Sequence, residues 1–257
     1  MRIALNGFGR IGRSILRLLA TTRADDGFEL VMINDIAALD ICAYLFQYDS
    51  VFGPFQGSVE TRDGVLCLNG QDVPFHCVSD IGTLDLSDVD VLLECTGAAG
   101  NRATAMRGLD AGAGAVLISG PSDAADVTVV LGANDADLGA HKIVSNASCT
   151  TNALAPLLRV LDEGFGIESG HMTTVHCYTG SQPMVDAPRG DPARSRAGAV
   201  SMVPTTTSAT RLVTKVLPDL TGRISGAAVR VPAISVSCID LVATLRTPVP
   251  DDPAAFI

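Results

Sequence analysis

The feature that most constrains the fold is Arg2-Ile-Ala-Leu-Asn6 running into Gly7-Phe-Gly9-Arg10-Ile11-Gly12, with Ile15, Leu16 and Leu19 following Ile11 at helical spacing. The apolar run reads as a short buried strand and the later spacing as one face of a helix, with a glycine turn between them. Each glycine has its own task in such a turn. Gly7 permits the tight reversal, Gly9 lets phosphates approach the backbone, and Gly12 lets helix and strand pack closely. The helix start supplies free N–H groups and the positive end of a dipole. A second strand over 29–33 ends in Asn34-Asp35, about twenty residues past the last glycine, where an acid binds ribose hydroxyls and repels a 2′-phosphate. The pattern predicts a dinucleotide site that favours NAD over NADP.

More strands are expected at 90–93, 114–118, 127–131 and 143–144, with an Ala/Gly/Leu-rich helix over 102–111 between two of them. Strands alternating with helices imply a doubly wound α/β sheet. Two strand ends carry small polar residues, Glu94-Cys95-Thr96-Gly97 and Ser119-Gly120. They are candidate cofactor contacts, because ligands of such sheets lie across the carboxyl ends of strands; ordinary loop punctuation is the competing reading.

Composition narrows the function. Over 257 residues, 47% are apolar and 18% charged, which excludes a disordered chain. A net charge of −10 opposes nucleic-acid binding. Apolar runs such as 113–119 fall far short of the roughly 18 residues of a membrane span. Met1 leads into a strand rather than a charged leader, so a soluble, cytoplasmic protein is expected. The seven cysteines form no CxxC pair and no cluster with histidine, which argues against a disulfide framework or a metal site. Most of them read as small buried residues.

Cys149 differs. It lies in Ser145-Asn-Ala-Ser148-Cys149-Thr150-Thr151-Asn152, ahead of a helix with Leu154, Leu157, Leu158 and Leu161 on one face. At a helix N-terminus the dipole favours a thiolate. A strand over 172–175 then ends in His176, and a helix followed by a strand is a natural way to bring that imidazole beside the thiol. With a nicotinamide nearby, the pair has a chemical logic. A thiolate adds to an aldehyde, hydride leaves to the ring, and a nucleophile releases the resulting thioester. If that nucleophile is phosphate, anion seats are needed. Thr179, Arg194, Arg196, Arg230 and the run Pro204-Thr-Thr-Thr207-Ser208 before a helix over 209–217 supply candidates. A helix cap and surface ion pairs are the plain alternatives.

Several segments resemble glyceraldehyde-3-phosphate dehydrogenase: the Asn6–Gly12 turn, Glu94-Cys-Thr-Gly97, SNASCTTN over 145–152, Thr173-Thr-Val-His176, Met202-Val-Pro-Thr-Thr-Thr207, Lys215-Val-Leu-Pro218 and Val229-Arg-Val-Pro232. The similarity runs from Met1 to about Arg246. It implies a Rossmann NAD-binding domain over 1–147 and, over 148–257, an α+β catalytic domain with a mostly antiparallel sheet. It implies Cys149 as nucleophile and His176 as base and thiolate partner. Thr179 and Arg230 match residues that bind the C3 phosphate of glyceraldehyde 3-phosphate. Ser148, Thr150, Thr207 and Ser208 match the seat of attacking inorganic phosphate, joined by Arg194 or Arg196. NAD contacts map to Gly7, Gly9, Arg10, Ile11, Gly12, Asp35, Thr96, Gly97 and Ser119. The segment 177–199 matches an S-shaped loop that packs near a neighbouring subunit's cofactor, so a homotetramer is implied. Pro188 with Asp35 points to NAD.

Departures accompany the resemblance. Family chains continue past 251–257, which reads as a helix start, so an incomplete catalytic domain with open apolar sheet faces is expected. Gly120 and Ser208 stand where alanine and glycine are expected, and Ser79 where an arginine often lies beside the adenine. Gly180-Ser181 and Gly190-Asp-Pro192 are also unusual for the S-shaped segment. Two alternatives stay open: erythrose-4-phosphate dehydrogenase, with water as the releasing nucleophile, and a non-catalytic NAD-binding remnant.

Overall fold

The computed structural model describes residues 1–249, so the helix start expected at 251–257 lies outside the described residues. The chain forms two compact units. One comprises Met1–Thr128 and Asp137–Asn146, and the other Val129–Ala136 and the chain from Ala147 onward.

The first unit opens as the apolar pattern requires, with β1 (Arg2–Asn6), α1 (Arg10–Leu19) and β2 (Glu29–Asn34). There follow α2 (Leu39–Gln47), a short hairpin of β3 (Tyr48–Asp49) and β4 (Gly53–Pro54), and the strands β5 (Val59–Arg62), β6 (Val65–Leu68) and β7 (Gln71–His76). Then come β8 (Val91–Glu94), α3 (Arg102–Asp110), β9 (Ala115–Ile118), β10 (Val127–Thr128) and β11 (Ile143–Ser145). They build a nine-stranded sheet in the order β10-β11-β9-β8-β1-β2-β7-β6-β5. From β10 to β7 every pairing is parallel, and only the β7-β6-β5 edge is antiparallel.

Strand order reverses at β1, which lies between β2 and β8, and the crevice at such a switch point is where these sheets bind ligands. Apolar clusters cover the sheet, one around Leu86, Leu92 and Val116 and another around Phe8, Phe46 and Leu66. The strand expected over 127–131 stops at Thr128. Val130 N–H donates to the Asn134 side chain and Gly132 adopts φ +80°, so the chain turns there instead of pairing.

In the second unit α4 (Cys149–Phe165) precedes β12 (Ile167–Cys177), and β13 (Val203–Thr205), α5 (Ala209–Val216), β14 (Ile224–Val231) and β15 (Ser237–Leu245) follow. The sheet order is β13-β14-β12-β15, with only β12–β14 parallel. Leu154 and Leu158 of α4 and Val213 of α5 pack on Met172 and Ile224 of this sheet. Register places His176 opposite Arg230, and Arg230 opposite Val203. Among the described residues no helix is long and apolar enough to cross a membrane.

Candidate active site

The carboxyl ends of β1, β2 and β8 line a cavity of 390 Å³ whose walls include Gly7, Gly9, Asp35, Ser79, Thr96 and Arg107. The three glycines of the turn are there for three different reasons. Gly7 holds φ +95°, and a Cβ there would lie 2.6 Å from Thr96 N. A Cβ on Gly12 would lie 2.2 Å from Gly7 O, so helix and turn pack backbone to backbone. At Gly9 a Cβ would meet nothing within 4 Å, so the space it would enter is open. Gly9 also caps α1 without a side-chain bond, which leaves the first N–H groups of the helix for a ligand.

Asp35 closes the other side. One oxygen accepts from Phe8 N at 2.6 Å and the other from Ala37 N at 2.9 Å. A carboxylate has about four acceptor sites, so both oxygens retain capacity for hydroxyls. Beneath the cavity the strand ends are tied together by a polar network that sequence reasoning missed. Asn34 donates to Asn6, Asn6 donates to Glu94 at 2.5 Å, and Glu94 also accepts from Thr96 N–H and Thr96 Oγ1. Polar residues closing three apolar strands were the available signal.

Of the other predicted cofactor residues, Arg10, Ile11, Gly12, Gly97 and Ser119 do not line this cavity. The Arg10 guanidinium lies 2.5 Å from Asp49. Ile11 is exposed, and Ser119 donates its N–H to Glu94 O. Arg10 and Ile11 still contribute backbone N–H groups at the first turn of α1.

In the second unit a cavity of 130 Å³ is lined by Ser148, Cys149, Thr150, Thr174, His176, Thr206, Thr207, Ser208, Ala228 and Arg230. Helix α4 begins at Cys149 because Ser148 caps it, Ser148 Oγ accepting from Thr151 N at 3.1 Å. Cys149 Sγ faces His176 Nε2 at 3.2 Å. On the other side of the ring, Nδ1 lies 2.7 Å from Cys177 O and 2.5 Å from Arg230 Nη1. Burial lowers the proton affinity of the Arg230 guanidinium from its ordinary value; Cys177 and Cys149 oppose that shift and Arg194 adds to it.

The structure separates the two arginines that sequence spacing left open. Arg194 donates to Thr205 Oγ1 at 3.1 Å and Thr206 Oγ1 at 2.5 Å, beside the cavity. Arg196 pairs with Asp186 at 2.7 Å and lines a different depression. Thr179 does not line the thiol cavity; its hydroxyl is bonded to Ser181 and Gln182. Thr174 does line it and carried no sequence signal.

All seven cysteines are free, and only Cys42 and Cys67 are buried, which corrects the expectation that most would be. Cys77 and Cys238 are exposed, as is Cys149. Among the described residues no group of three or more His, Cys, Asp or Glu could hold a metal ion.

Comparison with known proteins decides the family. Residues 1–102 match the NAD binding domain of glyceraldehyde 3-phosphate dehydrogenase, and residues 148–254 match its C-terminal domain. The chain belongs to the glyceraldehyde-3-phosphate dehydrogenase family. It is 45% identical to the glyceraldehyde-3-phosphate dehydrogenase of Xanthobacter flavus over 94% of this chain and 72% of that one. For the Pseudomonas aeruginosa enzyme the values are 47%, 94% and 73%, and for the Kitasatospora aureofaciens enzyme 44%, 98% and 76%. The open space at Gly9, the free α1 terminus and Asp35 fit the NAD that this family's N-terminal domain binds.

Proposed function

We propose that this chain oxidises glyceraldehyde 3-phosphate with NAD and inorganic phosphate to 1,3-bisphosphoglycerate, using Cys149 and His176. The observation that carries the reading is the 3.2 Å contact between Cys149 Sγ and His176 Nε2 at the start of α4. Residues 1–147 hold the dinucleotide, through the Gly7–Gly12 turn, Asp35 and Thr96, with Arg10, Ile11, Gly97 and Ser119 as flanking contacts. Bound NAD supplies the hydride acceptor.

The chain's own groups do the rest. Cys149 thiolate attacks the aldehyde carbon, a C–S bond forms, and the carbonyl oxygen takes a proton from His176 Nε2. In the oxidation His176 removes that hydroxyl proton as the C1–H bond breaks, leaving a thioester on Cys149. A phosphate oxygen then attacks the thioester carbonyl, the C–S bond breaks and the thiolate is restored. Ser148, Thr150, Thr207 and Ser208 seat that phosphate, with Arg194 rather than Arg196, because Arg194 is fixed to the hydroxyls of Thr205 and Thr206. Arg230, with Thr179, takes the substrate's C3 phosphate by a charge-assisted bond.

The test is NADH formation from glyceraldehyde 3-phosphate with and without inorganic phosphate, on the chain and on its Cys149→Ser variant. Phosphate-dependent turnover that disappears in Cys149→Ser while NAD binding persists is the expected result. Turnover without phosphate moves the protein to the erythrose-4-phosphate type of reaction, and NAD binding without thioester formation to a non-catalytic role. The same reading places it in the cytoplasm as a homotetramer. The exposed Met184 and Val185 of the segment 177–199, with Val200 and Met202 just after it, support a subunit contact there.

A further inference from the structure

Two buried polar atoms of residues lining the thiol cavity have no hydrogen-bond partner, Thr174 Oγ1 and Arg230 Nε. Thr174 is 2% exposed. It lies on β12 two residues before His176, so both side chains project from one face of the strand. Its neighbours across the sheet, Ala228 on β14 and Ile239 on β15, have no polar side-chain atom to offer.

A buried hydroxyl without a partner destabilises the folded state. Valine would occupy the same volume on a strand without that cost. What the cavity lacks is a negatively charged acceptor. Its other lining groups include the donor-only guanidinium of Arg230 and the hydroxyls of Ser148 and Thr150, and none of its lining residues carries a carboxylate. An anion entering such a site finds donors on several walls.

We infer that Thr174 is a further phosphate ligand of this cavity, its Oγ1 donating to an oxygen of a phosphate seated beside Cys149. This rests on the reading of the cavity as an anion site and adds to it a residue from the floor strand. The phosphate can be free inorganic phosphate or the monoester of the substrate, and the experiment has an arm for each.

Thermal unfolding of the wild-type chain, Thr174→Val and Thr174→Ser is followed while titrating inorganic phosphate and, separately, glycerol 3-phosphate. Both anions raise the midpoint if they bind the folded state. Thr174→Val is expected to bind one of them about tenfold more weakly, the loss typical of a bond to a charged group. Its ligand-free midpoint is expected to be no lower than wild type. Thr174→Ser is expected to restore the response. Selective loss with inorganic phosphate assigns the hydroxyl to the attacking phosphate, with a matching rise in the phosphate KM and an unchanged first turnover of NADH. Selective loss with glycerol 3-phosphate assigns it to the ester.

Undiminished binding of both anions by Thr174→Val overturns the proposal. So does a lowered midpoint with binding intact, which would mean the hydroxyl has a structural partner, and so does failure of Thr174→Ser to restore the response. A wild-type chain that responds to neither anion overturns both this proposal and the anion-site reading beneath it.

Discussion

Arg230 Nη1 lies 2.5 Å from His176 Nδ1 and 2.9 Å from Cys177 O, directly across the parallel β12–β14 ladder. A guanidinium only donates. Nδ1 thus has this donor on one side and an acceptor, Cys177 O at 2.7 Å, on the other, while Nε2 of the same ring faces Cys149 Sγ. Cys177 O accepts from the same guanidinium, so one arginine ties the imidazole to the backbone that ends β12.

Arg230→Leu separates that positioning from substrate binding. If the guanidinium binds the C3 phosphate, KM for glyceraldehyde 3-phosphate rises about 10- to 100-fold, while turnover of unphosphorylated glyceraldehyde changes little. Equal losses with the two aldehydes would show that Arg230 acts only through His176.

Gly12→Ala and Gly9→Ala should fail in different ways. The Gly12 methyl would collide with Gly7 O, which is backbone and cannot swing aside, so a loss of more than about 2 kcal/mol of stability is expected. The Gly9 methyl enters open space, so the fold should hold within about 0.5 kcal/mol while NAD affinity drops. Urea unfolding and NAD titration on the two variants check both halves. Similar stability losses would mean that Gly9 also has a packing role.

Asp35→Asn tests charge apart from geometry. The amide keeps an acceptor for Phe8 N or Ala37 N, so the turn survives, but the negative charge that repels a 2′-phosphate is gone. The ratio of NAD to NADP affinity should narrow by about tenfold, roughly 1.4 kcal/mol. An unchanged ratio would assign the discrimination to other residues.

The first unit was legible in the sequence where burial makes the pattern plain. Ile3–Leu5 is buried on both faces of a parallel sheet, the glycines turn the chain, and Asp35 follows the next such strand. The strand β12 was read only over 172–175, because Ile167–His171 contains Glu, Ser, Gly and His. β14 is hidden by its Ser, Gly and Arg, and β15 alternates between exposed and half-buried positions instead of running apolar. Arg194 and Arg196 differ by two positions in an irregular segment, where no periodicity says which way a side chain faces. Thr174 was illegible in principle, because an unmet hydrogen bond exists only once every neighbour is placed.

Alkaline pH should weaken the fold through two thiols. Burial pushes Cys95 from 9.0 up to about 11, and burial followed by the nearby Asp35 does the same for Cys42. A thiol whose folded pKa is raised binds its proton more tightly in the native state. Its contribution is therefore complete below pH 9 and is lost as pH climbs through 11. Unfolding free energy should be level to about pH 9 and then fall by roughly 2 to 3 kcal/mol per thiol. Cys95→Ala should be less stable at neutral pH yet show a shallower alkaline slope; an unaltered slope would mean that other groups cause the decline.

Parallel pairing sets the order in which this protein acquires its chemistry. His176 and Arg230 are neighbours across the ladder but 54 residues apart in the chain, and the strand that flanks Arg230 on its far side returns from a long irregular segment. Closing loops of that length is slow compared with forming the local contacts of β1, α1 and β2. During refolding, the Gly7–Gly12 turn with β1, α1 and β2 should therefore form ahead of the distinctive reactivity of Cys149, while the complete nucleotide cavity also waits for β8, whose Glu94 lies 88 residues from Asn6.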